Sequence, residues 1–329
     1  MFKLTPSARF FGFFSLIFSG LIAFTSCQQE LSGELPVIVT PTTQWTTSAI
    51  NPSSHPATVL LRSMKAADIT VSIPQTGGVC IAGSVSCLVP DNAFLKLDGT
   101  PVTGNVTVTL SPATKYADMI FNGLSTLTSS GWLETGGMVK IQATQGADVL
   151  KLKPGKTIKV LFTATGFSPD YKGYAGRETG DVANAVTWNL NNNWVAGPDS
   201  GQGTSGTQII IDSLQWINCD RLMNVSTPTN TYLKLPADFG NVNTSVYMVF
   251  TARKMIAGMY ADAANQRFWQ GSAYKVPIGE PVKFIVISKK DNKIYYAMAS
   301  ATITADMTTT ISTMEEITQA ELNNRLNAL

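Results

Sequence analysis

One histidine, four cysteines and 14% charged residues are what this 329-residue chain has least of. A single His cannot furnish a His-rich zinc site and leaves few routes to a His-based catalytic triad. Basic residues number 24 against 22 acids, with no dense Lys/Arg run. That excludes nucleic acid as a partner, because phosphate binding needs concentrated positive charge. No Asp-x-Asp-x-Asp-Gly spacing offers a calcium loop, and no pair of carboxylates is singled out as acid and base. The sequence therefore assigns no catalytic residue, no metal and no cofactor. Apolar residues are present at 44%. Over a chain about two domains long they can bury a sizeable core.

The first residues read as an address. Lys3 and Arg9 give a positive start, and Phe10 to Phe24 is an apolar stretch followed directly by Thr25 and Ser26. That stretch is short for a membrane span, so residues 1–26 are expected to be a signal peptide. Its end, Phe24-Thr-Ser-Cys27, resembles the lipobox of bacterial lipoproteins, with Phe24 where Leu is usual. The resemblance implies that the Cys27 thiol receives diacylglycerol and that cleavage leaves Cys27 as the first residue. Palmitate-type chains would then make the membrane a partner, each buried CH₂ contributing ~0.8 kcal/mol. The plainer alternative is ordinary secretory cleavage with Cys27 as a spare thiol. Cleavage removes two basic residues and no acid, so the mature chain is balanced in charge and steers toward no charged partner. Residues 27–65, punctuated by Pro36, Pro41, Pro52 and Pro56, are expected to be a flexible tether.

Beyond the tether the signal is period-two alternation. Val106, Val108 and Leu110 share one face of a run whose other face is threonine; Ile158, Val160 and Phe162 do the same opposite Thr157 and Lys159. Turn signals recur at Gly77-Gly78, Asp98-Gly99, Gly136-Gly137, Pro154-Gly155 and Gly166. A second block reads as strands at Ile209–Ile217, Thr231–Leu235, Val246–Thr251, Val282–Ser288 and Lys293–Ala299. The expected fold is all-β: two tandem antiparallel β-sandwich modules at 66–196 and 208–314, joined by a Gly/Ser linker at 197–207. Residues 315–329 should add a short C-terminal helix, because Thr318-Gln-Ala-Glu321 fits a capping box and Leu322, Leu326 and Leu329 follow at helical spacing.

Val89-Pro-Asp-Asn-Ala-Phe94, Asp98-Gly-Thr-Pro-Val-Thr-Gly-Asn-Val-Thr-Val108, Leu133-Glu-Thr-Gly-Gly-Met138 and Leu152-Lys-Pro-Gly155 occur in that order. The series resembles the ZU5-type β-sandwich found in surface lipoproteins of Gram-negative bacteria, and Trp216-Ile-Asn-Cys-Asp-Arg221 resembles a signature of their second domain. The resemblance implies a ZU5-like first module and an outer-membrane lipoprotein, periplasmic or surface-facing. Its motifs are turns and core positions and carry no activity. The His-Phe-Ser step at which some ZU5 proteins cut themselves does not occur here.

His55 falls between prolines in the tether, where a general base would lack an orienting carboxylate. Gly201-Gln-Gly-Thr-Ser-Gly206 matches a dinucleotide motif in letters, but a loop precedes it and Gln208-Ile-Ile-Ile211 follows, so it reads as linker. A Gly83-Ser84 turn of type II′ sets Cys80 opposite Cys87, within disulfide reach; two small buried hydrophobes are the alternative. Cys219 reads as a buried thiol. Tyr171, Tyr174, Trp188 and Trp194 cluster in one long segment, where they either stack on a ligand or pack the sandwich edge. The leading expectation is a lipid-anchored cell-envelope protein with a non-enzymatic structural or interaction role. The alternatives are a module that binds a surface glycan or peptide through those aromatics, and a carboxylate-based hydrolase.

Overall fold

A computed structural model describes residues 44–163, 166–199, 206–271 and 274–329. The leader, Cys27 and the start of the tether lie outside the described residues. The chain is all-β, with three short α-helices among those residues.

Alternation builds the first sandwich. Gly78–Ala82, Val85–Val89, Ile158–Phe162, Thr207–Ile211 and Val195–Pro198 lie side by side as one antiparallel sheet. Its inward residues, Cys80, Cys87, Val160, Phe162 and Ile209, are buried. They meet Val108, Leu110, Ile141 and Ile217 from a larger sheet. The hairpin register is the one the turn demands: Ala82 faces Val85, Ile81 faces Ser86 and Cys80 faces Cys87. Gly83 has φ +61 while Ser84 does not enter positive φ, as type II′ requires.

The larger sheet runs Ile69–Ile73, Val106–Ala113, Gly131–Gln145, Trp216–Leu222, Lys172–Glu178, Val186–Leu190 and Leu124–Thr128. The last of these pairs back onto Gly131–Gln145, closing five strands into a ring. Gly131–Gln145 enters three cores in turn. Trp132 packs with the second sandwich, Leu133 and Met138 with a middle layer, and Val139, Ile141 and Ala143 with the first sandwich.

In the second sandwich, Thr244–Phe250 and Pro281–Lys290 pair antiparallel at the centre of a five-stranded sheet. Val246, Met248, Phe250, Val282, Phe284 and Val286 fill its own core. Tyr247, Val249, Ile285 and Ile287 point the other way, into the middle layer. That layer also takes Leu60 and Leu61 from helix Pro56–Ser63, Met119 and Ile120 from helix Tyr116–Asn122, and Leu322 and Leu326 from helix Gln319–Asn327. The C-terminal helix is held as expected: Thr318 accepts from the Glu321 amide, and the Glu321 carboxylate accepts from the Thr318 amide.

Three expectations are corrected. The supposed linker is a hairpin connection, because Val195–Pro198 pairs antiparallel with Thr207–Ile211; residues 200–205 lie outside the described residues. Thr207–Ile211 and Trp216–Leu222 consequently belong to the first sandwich and its ring, and do not open the second module. Residues 43–329 form one compact unit, since the middle layer is a core that both sandwiches share. Finally, the tether does not extend to residue 65: from Gln44 it is a docked strap and then a helix. Its apolar side chains Leu60 and Leu61 are buried, which composition alone concealed.

Candidate functional site

The aromatics do not form a stacking platform. Tyr171, Tyr174, Trp188 and Trp194 are at most 8% exposed, and they are divided between cores: Tyr171 and Trp194 in the first, Tyr174 and Trp188 in the middle layer. Both indoles are hydrogen-bonded, Trp188 Nε1 donating to the buried Ser125 carbonyl and Trp194 Nε1 to Oδ1 of the exposed Asp212. Strand pairing imposes this, because Lys172–Glu178 and Val186–Leu190 are interior to the ring. Cys80 and Cys87 stand opposite one another as free, buried thiols, so the structure holds the packing alternative and not a disulfide. The hydrogen bond that the Cys87 thiol donates to Cys80, together with burial, pushes Cys87 well above its ordinary value, leaving it protonated and inert at neutral pH. Cys219 is a third buried thiol.

His55 is also structural. It is 1% exposed and caps helix Pro56–Ser63, its Nδ1 accepting from the Thr58 amide and lying 2.8 Å from Thr58 Oγ1. Burial lowers its pKa to about 4, so the ring is neutral. Asp220, fully buried in the ring wall, has its pKa raised to about 8, chiefly by desolvation. Asn218 Nδ2 donates to its Oδ2, Thr135 Oγ1 donates to Asn218 Oδ1, and the Gly137 amide donates to Thr135 Oγ1. This chain of bonds fixes the ring to Lys254, whose carbonyl accepts from the Thr135 amide.

A concavity lies elsewhere, where three distant segments converge. Its volume is about 660 Å³, within the range of small-molecule sites. One wall is the strap Thr46–Ile50, the second is the loop Thr179–Ala183, and the floor comes from Thr244–Tyr247 and Met259–Ala264. The strap is docked by paired amides: Thr46 N donates to Asn241 Oδ1, Asn241 Nδ2 to the Thr46 carbonyl, and Asn243 Nδ2 to Gln44 Oε1. Gly240 is required here, since a Cβ would overlap the Gln44 carbonyl. The loop is held by Asn184, which exchanges two hydrogen bonds with the Gly258 backbone.

The cleft lining is rich in hydroxyls and contains no Lys or Arg. Its carboxylates differ. Asp262 is opposed by its own burial, but bonds from Arg267 and Asn265 outweigh that and hold it below its ordinary value. Asp181 is half-buried, accepts from the Ala183 amide through Oδ1, and makes no ion pair among the described residues. Tyr260 is raised to about 12 by burial and by the charge of Asp181. Ser245 is 5% exposed, and its Oγ meets no hydrogen-bonding partner among the described residues. Sequence reasoning missed these groups: Asp181, Ser245 and Tyr260 are far apart in the chain and belong to no motif. Among the described residues no three His, Cys, Asp or Glu side chains are placed to hold a metal ion. No protein-family model matches this chain, and no curated protein matches it.

Proposed function

We propose that this is a lipid-anchored protein of the bacterial outer membrane, attached through Cys27, whose β-sandwiches, the first of ZU5 type, serve structure or interaction without catalysis. The observation that carries the reading is the leader: a positive start, an apolar stretch and a Cys immediately after two small residues. The fold adds support by how it uses reactive groups. The single His caps a helix, Asp220 braces the ring, and Glu134 is tied to Arg221 and Arg253. Stacking by Tyr171, Tyr174, Trp188 and Trp194 is not retained, since buried rings present no face to a glycan. A carboxylate hydrolase would need two convergent acids with raised pKa, and the raised acid Asp220 is sealed from solvent.

The test is metabolic labelling with palmitate in cells expressing the full chain or Cys27→Ser. Label on the native chain, and its absence together with release from membranes for Cys27→Ser, is the expected result. An unlabelled native chain, or a Cys27→Ser chain still membrane-bound, removes the anchor. Protease treatment of intact cells then separates a surface-facing from a periplasmic domain.

A further inference from the structure

We infer that the cleft between the strap and the 179–183 loop is a binding site for a small organic amine, with Asp181 as its counter-ion. Three independent features converge on this chemistry. The first is charge. The ionised side chains of the lining are Asp181 and Asp262, and Asp262 is already neutralised by Arg267 at 2.8 Å. One carboxylate remains unpaired in a half-enclosed cleft, where a cation gains more than it would at an open surface. The same field repels phosphates and carboxylates.

The second is the Ser245 hydroxyl. A buried hydroxyl without a partner is costly, and in native proteins such a group calls for an explanation. Ser245 lies on the cleft floor beside Tyr247. In the inferred complex the ammonium is paired with Asp181 and donates an N–H to the Ser245 oxygen. The third is the aromatic content. Tyr260, half-buried, lines the cleft and stacks on Tyr274 with centroids 6.4 Å apart. Ring faces attract desolvated cations. The volume, about 660 Å³, admits a molecule of amino-acid or polyamine size. The inference does not depend on lipid attachment.

The experiment is isothermal titration of the full chain, in non-ionic detergent at low ionic strength, with 1,5-diaminopentane and 2-aminoethanol as cations. Glucose and glucose 6-phosphate serve as neutral and anionic comparators. At least one cation should saturate, and its affinity should fall as salt is raised. Asp181→Asn keeps the Oδ1 acceptor for the Ala183 amide and should weaken cation binding by at least about tenfold. Ser245→Ala should lower cation affinity while leaving the melting temperature equal or higher, because it deletes an unsatisfied buried group. A merely structural Ser245 would leave affinity unchanged. The inference is overturned if neither cation saturates below roughly 10 mM, an affinity weaker than about 3 kcal/mol. It is equally overturned if glucose 6-phosphate binds as tightly as the cations, or if Asp181→Asn and Ser245→Ala both bind them like the native chain.

Discussion

The two sandwiches use strands of similar composition in different ways. In the first, Ile158–Phe162 alternates strictly: Ile158, Val160 and Phe162 are buried, while Lys159 and Leu161 are only half-buried on the outer face. In the second, all seven residues of Thr244–Phe250 are buried, because one face fills its own core and the other the shared layer. Alternation thus marks a sheet with one wet face, and an unbroken apolar run marks a sheet covered on both. The central strand of the second sandwich is covered on both faces, and the outer sheet of the first on one.

That contrast is broken most severely at Phe284. Phe284→Ala should cost about 3–5 kcal/mol. Because the middle layer is common property, calorimetry should show both sandwiches melting together at a lower temperature. Two separated transitions, with only one displaced, would mean that the cores are independent. Lys159→Ala on the outer wall should stay within about 0.5 kcal/mol of native in the same measurement.

Buried titratable groups sharpen the comparison. The Asp220 carboxyl has a folded pKa of about 8 against an ordinary 3.8. The unfolded chain ionises it above about pH 4 while the folded chain stays protonated, so stability falls as pH rises from 4 to 8, at up to ~1.4 kcal/mol per unit. Asp220→Asn should remove that slope in urea titrations at pH 5 and pH 8; an unchanged slope would show that Asp220 does not carry it. His55 runs the opposite way over a narrower range, its folded pKa being about 4 against 6.5. Its contribution is complete above pH 6.5 and is lost as pH falls toward 4. In the native chain the two trends offset one another between pH 4 and 6.5. His55→Gln should therefore expose the rise in stability on acidification that Asp220 produces, and a flat profile in this variant would contradict the assignment. The smallest effect belongs to the outer wall: Val79 and Ile81, 54% and 65% exposed, should tolerate Thr within about 0.5 kcal/mol by denaturant titration.

What was legible in the sequence was local. The Cys80–Cys87 register followed from two turn residues, the helix after Thr318 from a capping box, and the strand at Ile158 from alternation. What was not legible depends on distant pairing. Gly197 and Pro198 read as linker by composition, and only their pairing with Gln208 and Thr207 makes them strand. His55-Pro-Ala-Thr-Val-Leu-Leu61 carried a proline at the first helical turn, yet surrounding Ser and Pro outweighed it. The run Val246-Tyr-Met-Val-Phe250 reads as a strand, but its letters alone do not show that both of its faces are covered. The cleft was illegible because its walls, 46–50, 179–183, 244–247 and 259–264, come from distant parts of the chain.

The docking of Gln44 and Thr46 gives the molecule a mechanical polarity. Any pull arriving from the residues ahead of Gln44 is borne at once by the amide pairs to Asn241 and Asn243 and by the Val242 amide donating to the Gln44 carbonyl. Tension along the chain therefore ends on the second sandwich, and the same short stretch that takes the strain forms a wall of the cleft.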